Sequence, residues 1–125
     1  MCGVGARVKV PARNRPTRAL SVRQPYVELI LRGQKRFEIR SRPTKIFERV
    51  YIYASQLSAD DPAAWRRVRC ERGDLPVGKV VGTVEVVGCR RRGRWYDWLL
   101  ANPKRLARPR TVRVKPQPVW FRPFP

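Results

Sequence analysis

The stretch ALSVRQPYVELILRGQKRFEIR, residues 19–40, decides how the chain is read. Its opening residues, Ala19-Leu20-Ser21-Val22, read as a short strand. Gln24-Pro25 follows, and Pro25 suits the first turn of a helix, where a missing N–H costs nothing. Tyr26, Leu29 and Ile30, with Val27 and Leu31, then give an apolar face at helical spacing, and Gly33 is a candidate C-cap. From Lys35 to Arg40 the period drops to two. Phe37 and Ile39 point one way while Arg36, Glu38 and Arg40 point the other, as in a half-buried strand with a charged face.

Working outward, Arg49-Val50-Tyr51-Ile52-Tyr53-Ala54 is a second clear strand, rich in β-branched and aromatic residues. Ser58 or Asp60 is positioned to cap a helix from Ala63 to Val68, with Pro62 in its first turn. Lys79 to Cys89 is a nearly continuous valine run broken by Gly82 and Gly88, and predicts a long strand. A short helix is predicted over Trp95–Ala101, stopping at Asn102-Pro103, followed by a proline-rich tail with extended pieces at Thr111–Lys115 and Val119–Phe121. Residues 1–17 lack a regular period and read as a flexible basic arm, leaving one domain over residues 18–125. Helices so few and short do not cover both faces of a parallel sheet. The prediction is an α+β fold: a small, mostly antiparallel β-barrel with peripheral short helices.

The chain has 29 Lys+Arg against 9 Asp+Glu, a net charge of +20 on 125 residues, and 23 of the cations are Arg. Such a charge attracts polyanions at long range and gains affinity from counterion release, and guanidinium forks match phosphate bidentately. Nucleic acid is the implied partner, RNA first and DNA also open. No apolar run reaches the length of a membrane span, and MCGVGARVKV lacks the apolar core of a secretory signal. There is no histidine, which removes Ser-His-Asp and Cys-His catalysis and every zinc site that needs an imidazole. Cys2, Cys70 and Cys89 are odd in number and form no CxxC pair. No disulfide scaffold, metal or cofactor is therefore expected, and a reducing cytoplasm fits.

Four segments, in this order, resemble an ASCH domain of the PUA-like superfamily. They are LSVRQPY at 20–26, GQKRFEIRS at 33–41, LPVG at 75–78 leading into GTVEV at 82–86, and WLLANP at 98–103 with PVW at 118–120. The spacing G-x-K-x-x-E-x-R, preceded by S-x-R-Q-P-aromatic, is the most distinctive, and the match spans about residues 18–122. The resemblance implies a PUA-like β-barrel with a cleft beside the first helix and RNA or DNA as ligand. It also implies an alternative, since some small members resemble ribonucleases or amidohydrolases acting on an acetylated cytidine nucleoside. There, catalysis is attributed to the Lys of G-x-K, a Thr three residues later and a downstream Glu. Here Lys35 matches the Lys, Glu38 stands at the Thr position, and no Glu follows Glu85.

The candidate cleft residues are Arg23, Gln24, Tyr26, Lys35, Glu38, Arg40 and Ser55. Glu38 between Lys35 and Arg40 can accept hydrogen bonds from base amino groups while the cations hold phosphate. As an enzyme, Lys35 beside Glu38 would polarise a carbonyl or shuttle a proton, and a plain surface ion-pair network is the third possibility. Arg23 and Gln24 lie at a strand end before a helix start, where unpaired N–H groups favour an anion or simply cap the helix. Tyr26 either packs the helix or stacks on a base. Arg90, Arg91, Arg92 and Arg94, next to Trp95, Tyr96 and Trp98, interleave basic and aromatic residues in a way that suits single-stranded nucleic acid, with part of the aromatic cluster packing a helix. Lys104–Arg110 and the N-terminal arm are expected along phosphates. Glu85, within a valine-rich strand, either faces out or pairs with an Arg such as Arg40, and Trp120-Phe121 either plugs the barrel or offers a stacking platform.

Overall fold

A computed structural model describes residues 15–125. Residues 1–14, and with them most of the expected basic arm, lie outside the described residues. Nine elements follow in chain order. They are β1 (Ala19–Val22), α1 (Tyr26–Leu31), β2 (Phe37–Arg40), β3 (Arg49–Ala54), α2 (Pro62–Val68), a 3₁₀ turn (Arg72–Asp74), β4 (Lys79–Arg92), β5 (Trp95–Thr111) and β6 (Trp120–Phe121). The strand–helix–strand reading of residues 19–40 thus stands. Helix α1 buries Val27, Leu29 and Ile30, and Gly33 takes up φ +77° just beyond it, where a side chain would be strained. The cap of α2 is Asp61, one residue after Asp60 and three after Ser58; its carboxylate accepts the Ala64 N–H at 3.1 Å.

The six strands form one mixed sheet in the order β2-β5-β4-β3-β1-β6. Four of its pairings are antiparallel, and β1 with β3 is parallel, because α1 and β2 intervene between them in the chain. The expected barrel is not closed: β2 and β6 are the two edges and do not pair. Register breaks in the β4–β5 pair at Val80/Gly82, Thr83/Glu85 and Val86/Gly88 bend these long strands instead. At Gly82 an added Cβ would stand 2.6 Å from both Leu31 Cδ2 and the Lys104 carbonyl oxygen, so glycine is what lets β5 and α1 approach this closely.

The helix expected over Trp95–Ala101 is strand instead. Gly93-Arg94 makes a two-residue hairpin with φ +66° at Gly93, and β5 then pairs with β4 from Arg92↔Trp95 onward. Pairing on both sides, with β4 and β2, overrides the local helical spacing of the apolar residues. The main core gathers Leu20, Val22, Val27, Ile30, Val50, Ile52, Val84, Val86 and Trp98, each buried side chain contributing roughly 1.5–3 kcal/mol. Trp120 and Phe121 pack into the core from the β6 edge without closing a barrel: Trp120 stacks on Trp98 at 5.6 Å and Phe121 meets Tyr53 edge-on at 5.2 Å. Among the described residues no helix is long and apolar enough to cross a membrane, and no group of His, Cys, Asp and Glu could hold a metal ion.

Candidate nucleic-acid interface

A cavity of about 610 Å³ opens where the ends of β1, β2 and β3 meet the N-terminus of α1. Its lining brings together Arg23, Tyr26, Glu38, Arg40 and Ser55 of the residues singled out above, and adds Tyr53, Gln56 and the segment 115–119. Strand β2 aims Glu38 and Arg40 inward because residues two apart share a face. Glu38 Oε2 accepts two bonds from Arg40, from Nε at 3.2 Å and from Nη2 at 3.0 Å, while Oε1 lies 3.8 Å from the Lys35 ammonium. Arg40 also donates to the Ser21 carbonyl at 2.8 Å and lies over the Trp98 ring at 5.5 Å. The result is a carboxylate, 8% exposed, held in one orientation by two cations.

Of the two readings left open for Tyr26, packing of the helix is the one seen. Its ring packs against the core, and its hydroxyl donates to Asp61 Oδ2 at 2.6 Å, tying α1 to the start of α2 at the cavity rim. That hydrogen bond, followed by burial, pushes the phenol up to about 12, and the same bond holds the Asp61 carboxyl below its ordinary range. Lys35 does not line this cavity. Its ammonium lies over the rings of Tyr26 at 5.1 Å and Phe37 at 5.5 Å, and its side chain borders a separate cavity of about 330 Å³ beside Asn102-Pro103.

Gln24 is elsewhere too. It is 1% exposed, its amide donates to the Pro76 carbonyl at 3.0 Å, and its Oε1 accepts the Glu28 N–H at 3.1 Å. Gln24 therefore caps the helix, the other reading left open for it, while the N–H groups of Val27 and Leu29 are taken by the carbonyls of Arg23 and Pro25. Glu85 is ion-paired, but with Arg49 at 3.2 Å rather than with Arg40, and Asn102 Nδ2 donates to its other oxygen at 2.9 Å.

The basic hairpin divides in two. Arg92 makes three contacts of 3.0–3.2 Å to the Asp97 carboxylate and Arg90 a fourth at 3.4 Å, whereas Arg91 and Arg94 have no carboxylate partner among the described residues. The hydrogen bonds from Arg92 lead in holding Asp97 below the usual carboxylate range, against the opposing effect of desolvation. Trp98 is buried, while Trp95 is 48% exposed. Along β5, Arg105 is also committed: its guanidinium grips Glu28 bidentately at 2.9 Å, and Arg32 binds the same carboxylate at 2.7 Å. Lys104, Arg108 and Arg110 are exposed and have no acidic partner among the described residues.

Sequence reasoning missed the 115–119 wall, which Ser21 fastens by its N–H to the Val119 carbonyl at 3.1 Å and its hydroxyl to the Gln117 carbonyl at 3.3 Å. No local pattern announces a contact across 96 residues. The wall holds Val119 at φ +71°, a conformation a β-branched residue rarely adopts. Asp97 was missed as well, although a lone acid shortly after an arginine run was a usable signal.

A family model described as the ASCH domain matches residues 20–114. Among solved structures, the ASCH protein of Zymomonas mobilis is similar in fold. Its Y47F mutant superposes with a TM-score of 0.60 at 16% identity, over 86% of this chain and 90% of that one. The structure titled simply as ASCH from the same organism gives 0.58 at 16% identity, over 84% and 85%. No curated protein sequence gives a significant match.

Proposed function

The chain belongs to the ASCH domain family, a family generally thought to bind RNA, and on that premise we propose that it is an RNA-binding module. The cavity receives a nucleotide or unstacked base, and the unpaired cations outside it track phosphates. One observation carries this reading: a rigid acceptor, Glu38, faces a cavity whose other charged groups, Arg23, Arg40 and Lys115, are all cations. A carboxylate accepts from the amino group of a base, and guanidinium and ammonium groups hold its phosphates. Arg91, Arg94, Lys104, Arg108 and Arg110 supply the sequence-independent part of the affinity. A reducing cytoplasm is the proposed setting, in which Cys70 and Cys89 stay free thiols.

The test is fluorescence anisotropy with labelled single-stranded RNA, duplex RNA and DNA of matched sequence, each also followed for cleavage on a gel. Binding of single-stranded RNA should weaken by roughly two to three orders of magnitude between 50 and 200 mM salt if about six phosphates are engaged. A shallow salt slope overturns the phosphate-tracking reading. The 3.8 Å approach of Lys35 to Glu38 favours one second reading, a nuclease or nucleoside amidohydrolase. RNA cleavage, or release of acetate from an acetylated cytidine nucleoside, that disappears in Lys35→Ala would establish it. Intact substrates leave the binding module.

A further inference from the structure

Strands β2, β5 and β4 have a second face, opposite the one that carries Glu38, Arg40 and Trp98. The registers Phe37↔Leu99, Ile39↔Asp97, Arg90↔Asp97 and Arg92↔Trp95 place all of these residues together on it. Two of its apolar members are open to solvent, Ile39 at 44% and Trp95 at 48% exposure. Between them Asp97 is almost fully covered, its side chain 1% exposed beneath the guanidinium groups of Arg90 and Arg92, whose own side chains are 64% and 57% exposed. Arg92 also lies over the Phe37 ring at 5.8 Å.

This is not an ordinary solvated sheet face. A guanidinium whose N–H edge is committed to a carboxylate presents its plane to a ligand, and an exposed indole presents another plane beside it. The clamp leaves one net positive charge on the trio, and Arg94 adds a further cation at the adjoining turn. A polyanion with flat apolar groups suits such a surface. A second copy of this chain does not, because each would bring a charge of +20.

We infer that this face, with Trp95 as its stacking residue, is a second contact for single-stranded RNA, on the opposite side of the sheet from the cavity. The inference rests on the RNA-binding reading above. It adds that bases outside the cavity are held by stacking rather than by phosphate contacts alone, and that Arg90 and Arg92 act through their planes.

The test compares native protein, Trp95→Ala and Trp95→Phe by anisotropy with a labelled single-stranded RNA dodecamer and with a duplex of the same length. Trp95→Ala should bind the single strand roughly tenfold more weakly, the loss of about one stacked base, and Trp95→Phe should recover most of it. The duplex, whose bases are already stacked inside, should be unaffected. Trp95 is half exposed, so both variants should keep the native thermal midpoint. Salt-sensitive binding by the native chain with no change in Trp95→Ala overturns this inference alone, as does an equal loss on single strand and duplex. No binding by the native chain sinks both this inference and the function it rests on. A dimer in sedimentation that Trp95→Ala abolishes while RNA affinity is unchanged would assign the face to a second copy, and overturn it too.

Discussion

Glu38 and Asp97 lie on neighbouring strands and are each gripped by arginine, yet they build opposite kinds of surface. At Glu38 the cations are themselves sheltered, Lys35 at 18% and Arg40 at 19% side-chain exposure, and Glu38 and Arg40 line a cavity. At Asp97 the acid is buried and the two arginines lie outside over it, so the same charge pattern makes a broad patch. In a chain with so large an excess of cations, the few acids decide which arginines are fixed in place and which remain free to meet a ligand. Arg49 and Arg105 are turned to acids within the protein, whereas Arg40, Arg90 and Arg92 are fixed in place by Glu38 and Asp97 and still border a surface a ligand can reach.

Trp98→Ala is the harshest way to break the comparison. Trp98 is buried on the strand that carries Asp97, stacks on Trp120, touches Arg40 and donates to the Arg42 carbonyl at 2.9 Å. Its loss should cost about 3–5 kcal/mol by urea unfolding and disturb both regions together. A loss confined to one region would mean that the two are built independently.

Asp97→Asn should act next most strongly, lowering the urea midpoint at neutral pH and releasing Arg90 and Arg92. The folded carboxyl is held below its unfolded range, so its contribution is present above that range and fades as pH falls through the lower folded value. The variant should therefore show a flatter acid arm below about pH 4, where an unfolded Asp takes up its proton. Because one negative charge is removed beside the patch, the slope of log affinity against log salt should steepen by about one unit. An unchanged slope would mean that RNA does not approach this face.

Tyr26→Phe tests the cavity rim in the opposite pH direction. The folded phenol sits at about 12, above its unfolded range, so its contribution is complete below about pH 10 and is lost as pH rises toward 12. The variant should be slightly less stable at neutral pH, with a flatter alkaline arm between those limits. Identical alkaline arms in the two proteins would show that the Asp61 bond does not hold the rim.

The smallest effect is expected from Arg23→Ala, which removes one exposed cation from the cavity lining, with no acidic partner among the described residues. RNA affinity should fall a few-fold and the salt slope should shrink by about one unit, as read by anisotropy. A loss as large as that of Trp95→Ala would move the main contact back to the cavity.

Much of the fold was legible locally. The strand, helix and strand of residues 19–40 and the strand over residues 49–54 carry clean periods, and nothing distant overrides them. Residues 95–101 misled because Trp95, Trp98 and Leu99 have helical spacing, while the Gly93-Arg94 turn that commits them to β4 was a hairpin signal left unused. The site divides the same way. Glu38, Arg40, Arg23, Tyr26 and Ser55 do meet at one cavity, whereas Gln24 caps the helix and is buried against Pro76 instead of lining it.

By itself the sequence determined the charge, the absence of histidine chemistry, the alternation that puts Glu38 and Arg40 on one face, and the motif spacing of the family. These depend on residue type and on separations of a few positions, which backbone geometry converts directly into direction. Only the tertiary structure decided which acid meets which arginine, that the sheet stays open, and that residues 115–119 wall the cavity. Those outcomes depend on strand register and on contacts between distant segments, and long side chains such as arginine reach several acids equally well until packing selects one.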